Sequence, residues 1–152
     1  MKWITVLAIV VLALVAFGCS REAEKAESAA EKAAQEAQAA AQALHKDLET
    51  AAGAVFETSC MPCHSGDQPA DGLSLEATTF VAATVGIAGS ELDTLALVEP
   101  GRPDRSYLMM KVMGDERIKG ARMPKGAEPL TAEQLKVLND WIAALPPAQP
   151  AN

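Results

Sequence analysis

The chain has 152 residues, enough for one domain with an appendage. A formal net charge of -7 excludes a general nucleic-acid binder, because such proteins present a cationic face to the phosphates. Three cysteines are too few for a disulfide-stapled miniprotein, and with only 4% aromatic residues a core built from this chain alone has few large side chains.

Residues 1–18 have the features of a bacterial export signal. Lys2 supplies a positive charge, and an uncharged apolar run follows from Trp3 to Phe17. At about 15 residues, this run is shorter than the roughly 20 residues that usually cross a membrane. The pattern therefore predicts a signal peptide and an extracytoplasmic protein, with an uncut N-terminal anchor as the alternative.

The end of this segment resembles the lipobox of bacterial lipoproteins. It reads Ala16-Phe17-Gly18-Cys19, and in such proteins the cysteine is acylated and becomes the new N-terminus. The resemblance implies that Cys19 carries a lipid that anchors the protein to a membrane on its periplasmic side. Ser20 rather than an aspartate follows the cysteine, which resembles the sorting pattern of outer-membrane lipoproteins in Gram-negative bacteria and so implies the outer membrane.

Residues 20–52 consist almost wholly of Ala, Glu, Gln and Lys, with neither Pro nor Gly. Since these are strong helix formers, the segment is predicted to be a helical tether. Small residues recur every seven positions in two series. One is Ala23, Ala30 and Ala37, which Leu44 continues, and the other is Ala26, Ala33 and Ala40. The repeat is compatible with two structures. One is a coiled coil through which the protein self-associates, and the other is a solvated helical spacer. The spacer is favoured because alanine seams bury little surface.

The most informative motif is Cys60-Met61-Pro62-Cys63-His64. In an exported chain, a C-x-x-C-H run is the attachment signature of c-type haem. Two thiols one turn apart can each add to a haem vinyl group, and the histidine that follows is placed to bind the iron. A thioredoxin-like redox pair, a zinc site and a structural disulfide are the alternatives. They are disfavoured because no parallel-strand pattern surrounds the motif and no further Cys or His follows it.

Met123 is predicted to be the second axial ligand of the iron. It lies in a polar, glycine-bounded loop, residues 120–126, where a thioether has little other use. Pro124 restricts the backbone of Met123, and the separation from His64 lets the chain pass around a haem to its other face. An open iron site and ligation by His45 are the alternatives.

Three helices are predicted after the tether. Residues 53–59 form a short helix with Phe56 as its large apolar side chain, and residues 104–113 form a second helix. Three methionines on the second helix are predicted to fill core: Met109, Met110 and Met113. Thr131 and Gln134 have the spacing of a capping box that opens the last helix. Its apolar stripe would suit close packing on the first helix: Leu135, Leu138, Trp141, Ile142 and Leu145.

With these motifs, residues 53–145 resemble a monohaem class I cytochrome c. More narrowly, they are similar to cytochrome c domains common in planctomycete proteins, through residues 72–75, 98–103, 106–108, 122–124, 130–131 and 141–142. The resemblance implies an all-α fold wrapped around one haem c, attached covalently through Cys60 and Cys63. It implies His64 as the proximal and Met123 as the distal iron ligand. It also implies one-electron transfer rather than enzymatic catalysis.

Charge is distributed unevenly over this region. No Lys or Arg lies between Lys46 and Arg102, whereas basic residues are frequent from Arg102 to Lys125. Arg122 and Lys125 flank the predicted distal ligand, which predicts a basic docking surface for an acidic redox partner, with a solvated polar loop as the alternative. Three side chains are candidates for holding the haem propionates: Arg102, Arg105 and Tyr107. The proline-rich residues 146–152 are predicted to be a disordered tail.

Two other classes of function stay open. One is a haem enzyme or gas sensor, peroxidase-like or NO-binding, with labile distal ligation. It is disfavoured because peroxidase cytochromes usually need a second haem, and the chain has one C-x-x-C-H motif. The other is a non-haem envelope spacer in which the long helix is the functional part, and the complete attachment motif disfavours it.

Overall fold

The computed structural model of this chain describes the backbone of residues 2–146 and the side chains of residues 25–146. The chain divides into two compact units, Met1–Ala43 and Leu44–Asn152. The side chain of Cys19, on which the predicted lipidation depends, and residues 147–152 of the predicted tail lie outside the described part of the chain, and the predicted signal cleavage stays a prediction. Within the part that is described, no helix is long and apolar enough to cross a membrane.

The first unit contributes a solvated helix. Helix α1 (Lys2–Ser59) begins in this unit, and every side chain from Lys25 to Ala43 is exposed. The predicted helix is therefore confirmed, as expected for strong helix formers. Lys32 and Glu36 form a surface ion pair at 3.9 Å, which adds little stability because both partners are exposed. Self-association of this helix stays a prediction.

The second unit begins on the same helix, earlier than the change in composition at Gly53. Four side chains of α1 at helical spacing pack in or against its core: Leu48, Ala52, Val55 and Phe56. A separate helix over residues 53–59 was predicted, but α1 runs unbroken to Ser59. A glycine inside a helix costs only about 1 kcal/mol, and the burial of this face outweighs that cost. A Cβ at Gly53 would lie 3.6 Å from the Phe80 ring, so the backbone of α1 packs closely against the core there.

Three further α-helices belong to the second unit: α2 (Phe80–Thr84), α3 (Tyr107–Met113) and α4 (Ala132–Ala144). Single-turn 3-10 helices cover Ala70–Gly72 and Pro103–Arg105. Over residues 2–146 there is no β-strand, only isolated bridges that join Val85 to Val98 and Ala88 to Ala96. The described chain is mainly helical, which agrees with the predicted all-α class.

The helix predicted over residues 104–113 is shorter in the structure, where α3 begins at Tyr107. Ser106 has an extended backbone, and its hydroxyl donates to Arg102 O at 2.9 Å and accepts from Glu99 N–H at 2.9 Å. Local side-chain hydrogen bonds of this kind compete with the helix for backbone groups. The prediction was therefore wrong for the first turn.

Helix α4 begins with the predicted capping box. Thr131 Oγ1 accepts from the N–H of Gln134 at 3.2 Å, and Gln134 Oε1 accepts from the N–H of Thr131 at 2.9 Å. This confirms the prediction and satisfies two of the donors that a helix start leaves unpaired. The predicted apolar stripe is also confirmed, because each of its members lies in or against the core: Leu135, Leu138, Trp141, Ile142 and Leu145.

Three aromatic rings pack together where α1, α2 and α4 meet. The ring centroids of Phe56 and Phe80 are 4.9 Å apart, and those of Phe80 and Trp141 are 5.4 Å apart. Phe56 meets Trp141 edge-on at 5.8 Å, an arrangement that aromatic quadrupoles favour. Because all three rings are almost fully buried, this cluster fixes the end of α1 that leads into Cys60.

Candidate functional site

The attachment turn, residues 60–64, directly follows α1 and continues its backbone pattern. Cys60 N–H donates to Phe56 O at 2.9 Å, and His64 N–H donates to Cys60 O at 3.0 Å. Cys63 N–H also donates to Cys60 O, at 3.1 Å. The two cysteines therefore lie one turn apart, which is the spacing of two thiols that attach to one haem.

The two thiols have different environments. Cys60 is half-buried against the hydrophobic core, whereas Cys63 is exposed, and both are free thiols. Burial raises the pKa of Cys60 to about 11, so its thiol is protonated at neutral pH. Thiol–disulfide exchange relies instead on a lowered thiol pKa. The environment of Cys60 therefore does not favour the thioredoxin-like alternative.

The imidazole of His64 is oriented by a backbone carbonyl. Its Nδ1 lies 3.2 Å from Leu73 O. Because a carbonyl oxygen can only accept, Nδ1 carries the proton in this hydrogen bond, and the free lone pair is then on Nε2. A histidine held in this way by a backbone carbonyl is typical of a metal ligand, since the carbonyl fixes the tautomer and the ring orientation.

The loop after the attachment turn folds back onto it. Ala70 N–H donates to Cys63 O at 2.9 Å, and Leu75 N–H donates to His64 O at 2.8 Å. Leu75 is itself buried in the core. These contacts hold the Leu73 carbonyl in place, so the orientation of His64 depends on a loop that is anchored at both ends.

The Met123 loop, residues 120–126, is fixed through its backbone. Met123 N–H donates to Lys111 O at 2.9 Å, and the Arg122 guanidinium donates to Met123 O at 3.0 Å and to Ala127 O at 2.9 Å. The side chain of Met123 is half-buried and packs against the same hydrophobic core as Cys60. The Met123–Pro124 peptide bond is cis. The thioether therefore lies on the core side of a loop that is held on both flanks.

These donors fit a haem iron better than a zinc ion. An imidazole nitrogen and a thioether sulfur form an axial pair found in cytochromes c. Over residues 25–146, no three His, Cys, Asp or Glu side chains come together in a way that could hold a metal ion. Cys60, Cys63 and His64 therefore do not form the ligand cluster that the zinc alternative needs.

The methionines of α3 differ from the prediction in one respect. Met109 and Met110 are buried, as predicted, but the side chain of Met113 is 58% exposed. Together they line a surface cleft next to the ion pair of Asp115 and Arg117. None of the residues lining this cleft belongs to the attachment turn or to the Met123 loop, so it is separate from the candidate haem site.

Several of the basic side chains are engaged within the protein. Arg102 pairs with Asp104 at 3.0 Å, and Arg117 pairs with Asp115 at 2.8 Å. The Arg122 guanidinium binds backbone carbonyls, as described above. Three exposed side chains remain as candidates for a basic docking surface: Arg105, Lys119 and Lys125.

Tyr107 is unsuited to the predicted role at a haem propionate. Its hydroxyl donates to Glu91 Oε2 at 3.0 Å and accepts from Lys119 N–H at 3.0 Å. Lys111 Nζ donates a hydrogen bond to the same Glu91 oxygen at 2.7 Å. Sequence reasoning missed this cluster, because Glu91 is distant along the chain from α3 and no local pattern singles it out.

Comparisons with known protein families, with curated proteins and with solved structures found no match.

Proposed function

We propose that this chain is a monohaem c-type cytochrome that carries single electrons on the extracytoplasmic side of a membrane. One haem c would be held through thioether links to Cys60 and Cys63, with His64 as proximal ligand and Met123 as distal ligand. The observation that carries the proposal is the His64 imidazole, which directly follows two thiols one turn apart and whose Nδ1 lies 3.2 Å from Leu73 O. Haem c supplies a reversible one-electron couple between ferrous and ferric iron.

The proposed ligand pair favours electron transfer over catalysis. If His64 and Met123 both bound the iron, no coordination site would be left for a substrate. The Leu73 carbonyl accepts a hydrogen bond from His64 Nδ1–H, which would leave Nε2 free to bind the iron. A thioether as distal ligand favours ferrous iron and so raises the reduction potential. An electron carrier needs these features, whereas a peroxidase or gas sensor needs an open or labile distal position.

The N-terminal region would supply the membrane tether. A lipid on Cys19 would anchor the chain, and the exposed helical stretch of residues 25–43 would span roughly 28 Å at the usual helical rise. The partners would be redox proteins with an acidic docking face, approached through the exposed Arg105, Lys119 and Lys125. Such an encounter should be fast, weak and sensitive to ionic strength.

Optical spectra of protein made with a working haem-maturation system test the ligand assignment. Ferric wild type should show the thioether-to-iron charge-transfer band, and Met123→Ala should lose it. Met113→Ala is the matched control, because Met113 is an exposed methionine outside the Met123 loop, and it should keep the band. A band that survives in Met123→Ala would contradict the distal assignment.

Carbon monoxide separates the carrier from the haem enzyme or gas sensor. The ferrous wild type should bind it poorly at neutral pH, because the Met123 thioether holds the distal position. Met123→Ala should bind it readily. Ready binding by the wild type would favour the enzyme or sensor.

A further inference from the structure

A partly buried polar cluster, formed by Tyr107 and Lys111 of α3 with Glu91, has no part in the function proposed so far. Glu91 Oε2 accepts from Lys111 Nζ at 2.7 Å and from Tyr107 Oη at 3.0 Å. Tyr107 is 2% exposed and Lys111 is 9% exposed. A buried ammonium and a buried phenol need hydrogen-bond partners, and the carboxylate of Glu91, which is 32% exposed, accepts one hydrogen bond from each of them.

The same cluster holds the chain directly before the Met123 loop. Lys119 N–H donates to Tyr107 Oη at 3.0 Å, and Lys119 O accepts from Lys111 Nζ at 2.9 Å. Both backbone groups of Lys119 are thus bound by α3 side chains. The backbone carbonyl of Lys111 also accepts a hydrogen bond from Met123 N–H at 2.9 Å.

Helix α3 therefore holds the chain at two points on either side of residues 120–122. One point is Lys119, which depends on Glu91 through Tyr107 and Lys111. The other is Met123 itself, which is bound to the backbone of Lys111. A change in the cluster would release the first point while leaving the hydrogen bond at Met123 available, so it should loosen the loop without removing its ligand residue.

We propose that Glu91, Tyr107 and Lys111 are positioning residues for the Met123 loop, which determine how readily the Met123 thioether is displaced from the iron. This inference rests on the proposed function. None of the three side chains is a ligand. They act through the backbone of Lys119 and Met123, so their effect should appear in ligand exchange at the distal position and not in haem attachment.

Imidazole binding to the ferric haem-loaded protein tests the proposal, because imidazole competes with the Met123 thioether. Tyr107→Phe keeps the ring but removes the hydroxyl that joins Glu91 to Lys119. We expect it to bind imidazole roughly tenfold more tightly than wild type, because Lys119 N–H, which lies directly before the Met123 loop, loses its acceptor. Glu91→Gln should shift the affinity in the same direction, and it provides the test if Tyr107→Phe does not fold.

Thr131→Ala is the matched control for general destabilisation. It removes the capping hydrogen bond of α4, which is comparable in size to the hydrogen bonds of Tyr107 but lies outside the cluster. Thr131→Ala should lower stability to urea by about as much as Tyr107→Phe does, but it should change imidazole affinity less than about twofold. If Tyr107→Phe and Glu91→Gln bind imidazole no more tightly than Thr131→Ala, the positioning role is wrong.

Two measurements on the same samples separate this proposal from the proposed function. Covalent haem content and the thioether-to-iron band of the wild type are recorded first. Absence of haem or of the band overturns both proposals. If haem and the band are present but the cluster variants and the control bind imidazole equally well, only the positioning role is overturned.

Discussion

The attachment turn and the Met123 loop are held in place in different ways. The turn is a continuation of α1, and its backbone hydrogen bonds join it to α1, to itself and to the loop that directly follows it. The Met123 loop is held by Lys111 of α3 and by Arg122, with Glu91 acting from further away. Attachment should therefore be robust to distant changes, whereas distal ligation should respond to substitutions in several parts of the chain.

The largest expected effect comes from the aromatic cluster that fixes the end of α1. Phe56→Ala should lower the free energy of unfolding by about 3–5 kcal/mol, because it opens a cavity between Phe80 and Trp141. Urea unfolding followed by circular dichroism measures this change. The exposed Leu44→Ala on the same helix is the control and should change stability by less than about 0.5 kcal/mol. Equal effects of the two substitutions would show that the cluster does not anchor the turn.

A smaller and more local effect is expected at Arg122. Arg122→Ala removes two hydrogen bonds to the backbone carbonyls of Met123 and Ala127, and it should cost about 1–2 kcal/mol. It also removes contacts at the end of α3, since a Cβ at Gly114 would lie 3.2 Å from Arg122 Cδ. The thioether-to-iron band should weaken while covalent haem content stays unchanged. Lys125→Ala, exposed in the same loop, should leave both unchanged, and loss of haem in Arg122→Ala would contradict the separation of the two regions.

The smallest expected effect is a dependence on acid. The hydrogen bond from Lys111 lowers the pKa of Glu91 below its ordinary value of 4.5. A carboxyl group of this kind adds stability at pH values above 4.5 and loses it as the pH falls through its lowered pKa. Glu91→Gln should therefore reduce the free energy of unfolding at pH 7 more than at pH 3. A reduction of the same size at both pH values would show that the charge of Glu91 contributes nothing.

The sequence predicted most of what depends on local chemistry. The alanine-rich helix, the capping box at Thr131 and the buried stripe of α4 were all visible as patterns and are confirmed. The break before α3 was missed, because it depends on hydrogen bonds from Ser106 to Glu99 and Arg102. The continuity of α1 through Gly53 was missed because burial of one face outweighs a weak local preference.

The candidate site divides in the same way. Cys60, Cys63 and His64 were read directly from their spacing, and the structure adds only the carbonyl of Leu73 that orients the imidazole. The support of Met123 was not visible, because Glu91 and Tyr107 are separated from it along the chain and are ordinary residue types. Long-range hydrogen bonds leave no local signature in a sequence. For the same reason Tyr107 was included among three candidates for holding the haem propionates, although its hydroxyl is used within the cluster.

Mass spectrometry of the intact protein and of its peptides, made with a working haem-maturation system, tests the central claim most directly. We predict one haem per chain, retained under denaturing conditions and located on the peptide that contains Cys60 and Cys63. Cys63→Ser, which leaves Cys60 as the single thiol of the attachment turn, should lose the double attachment. A wild-type protein without added tetrapyrrole mass and without iron would contradict the claim.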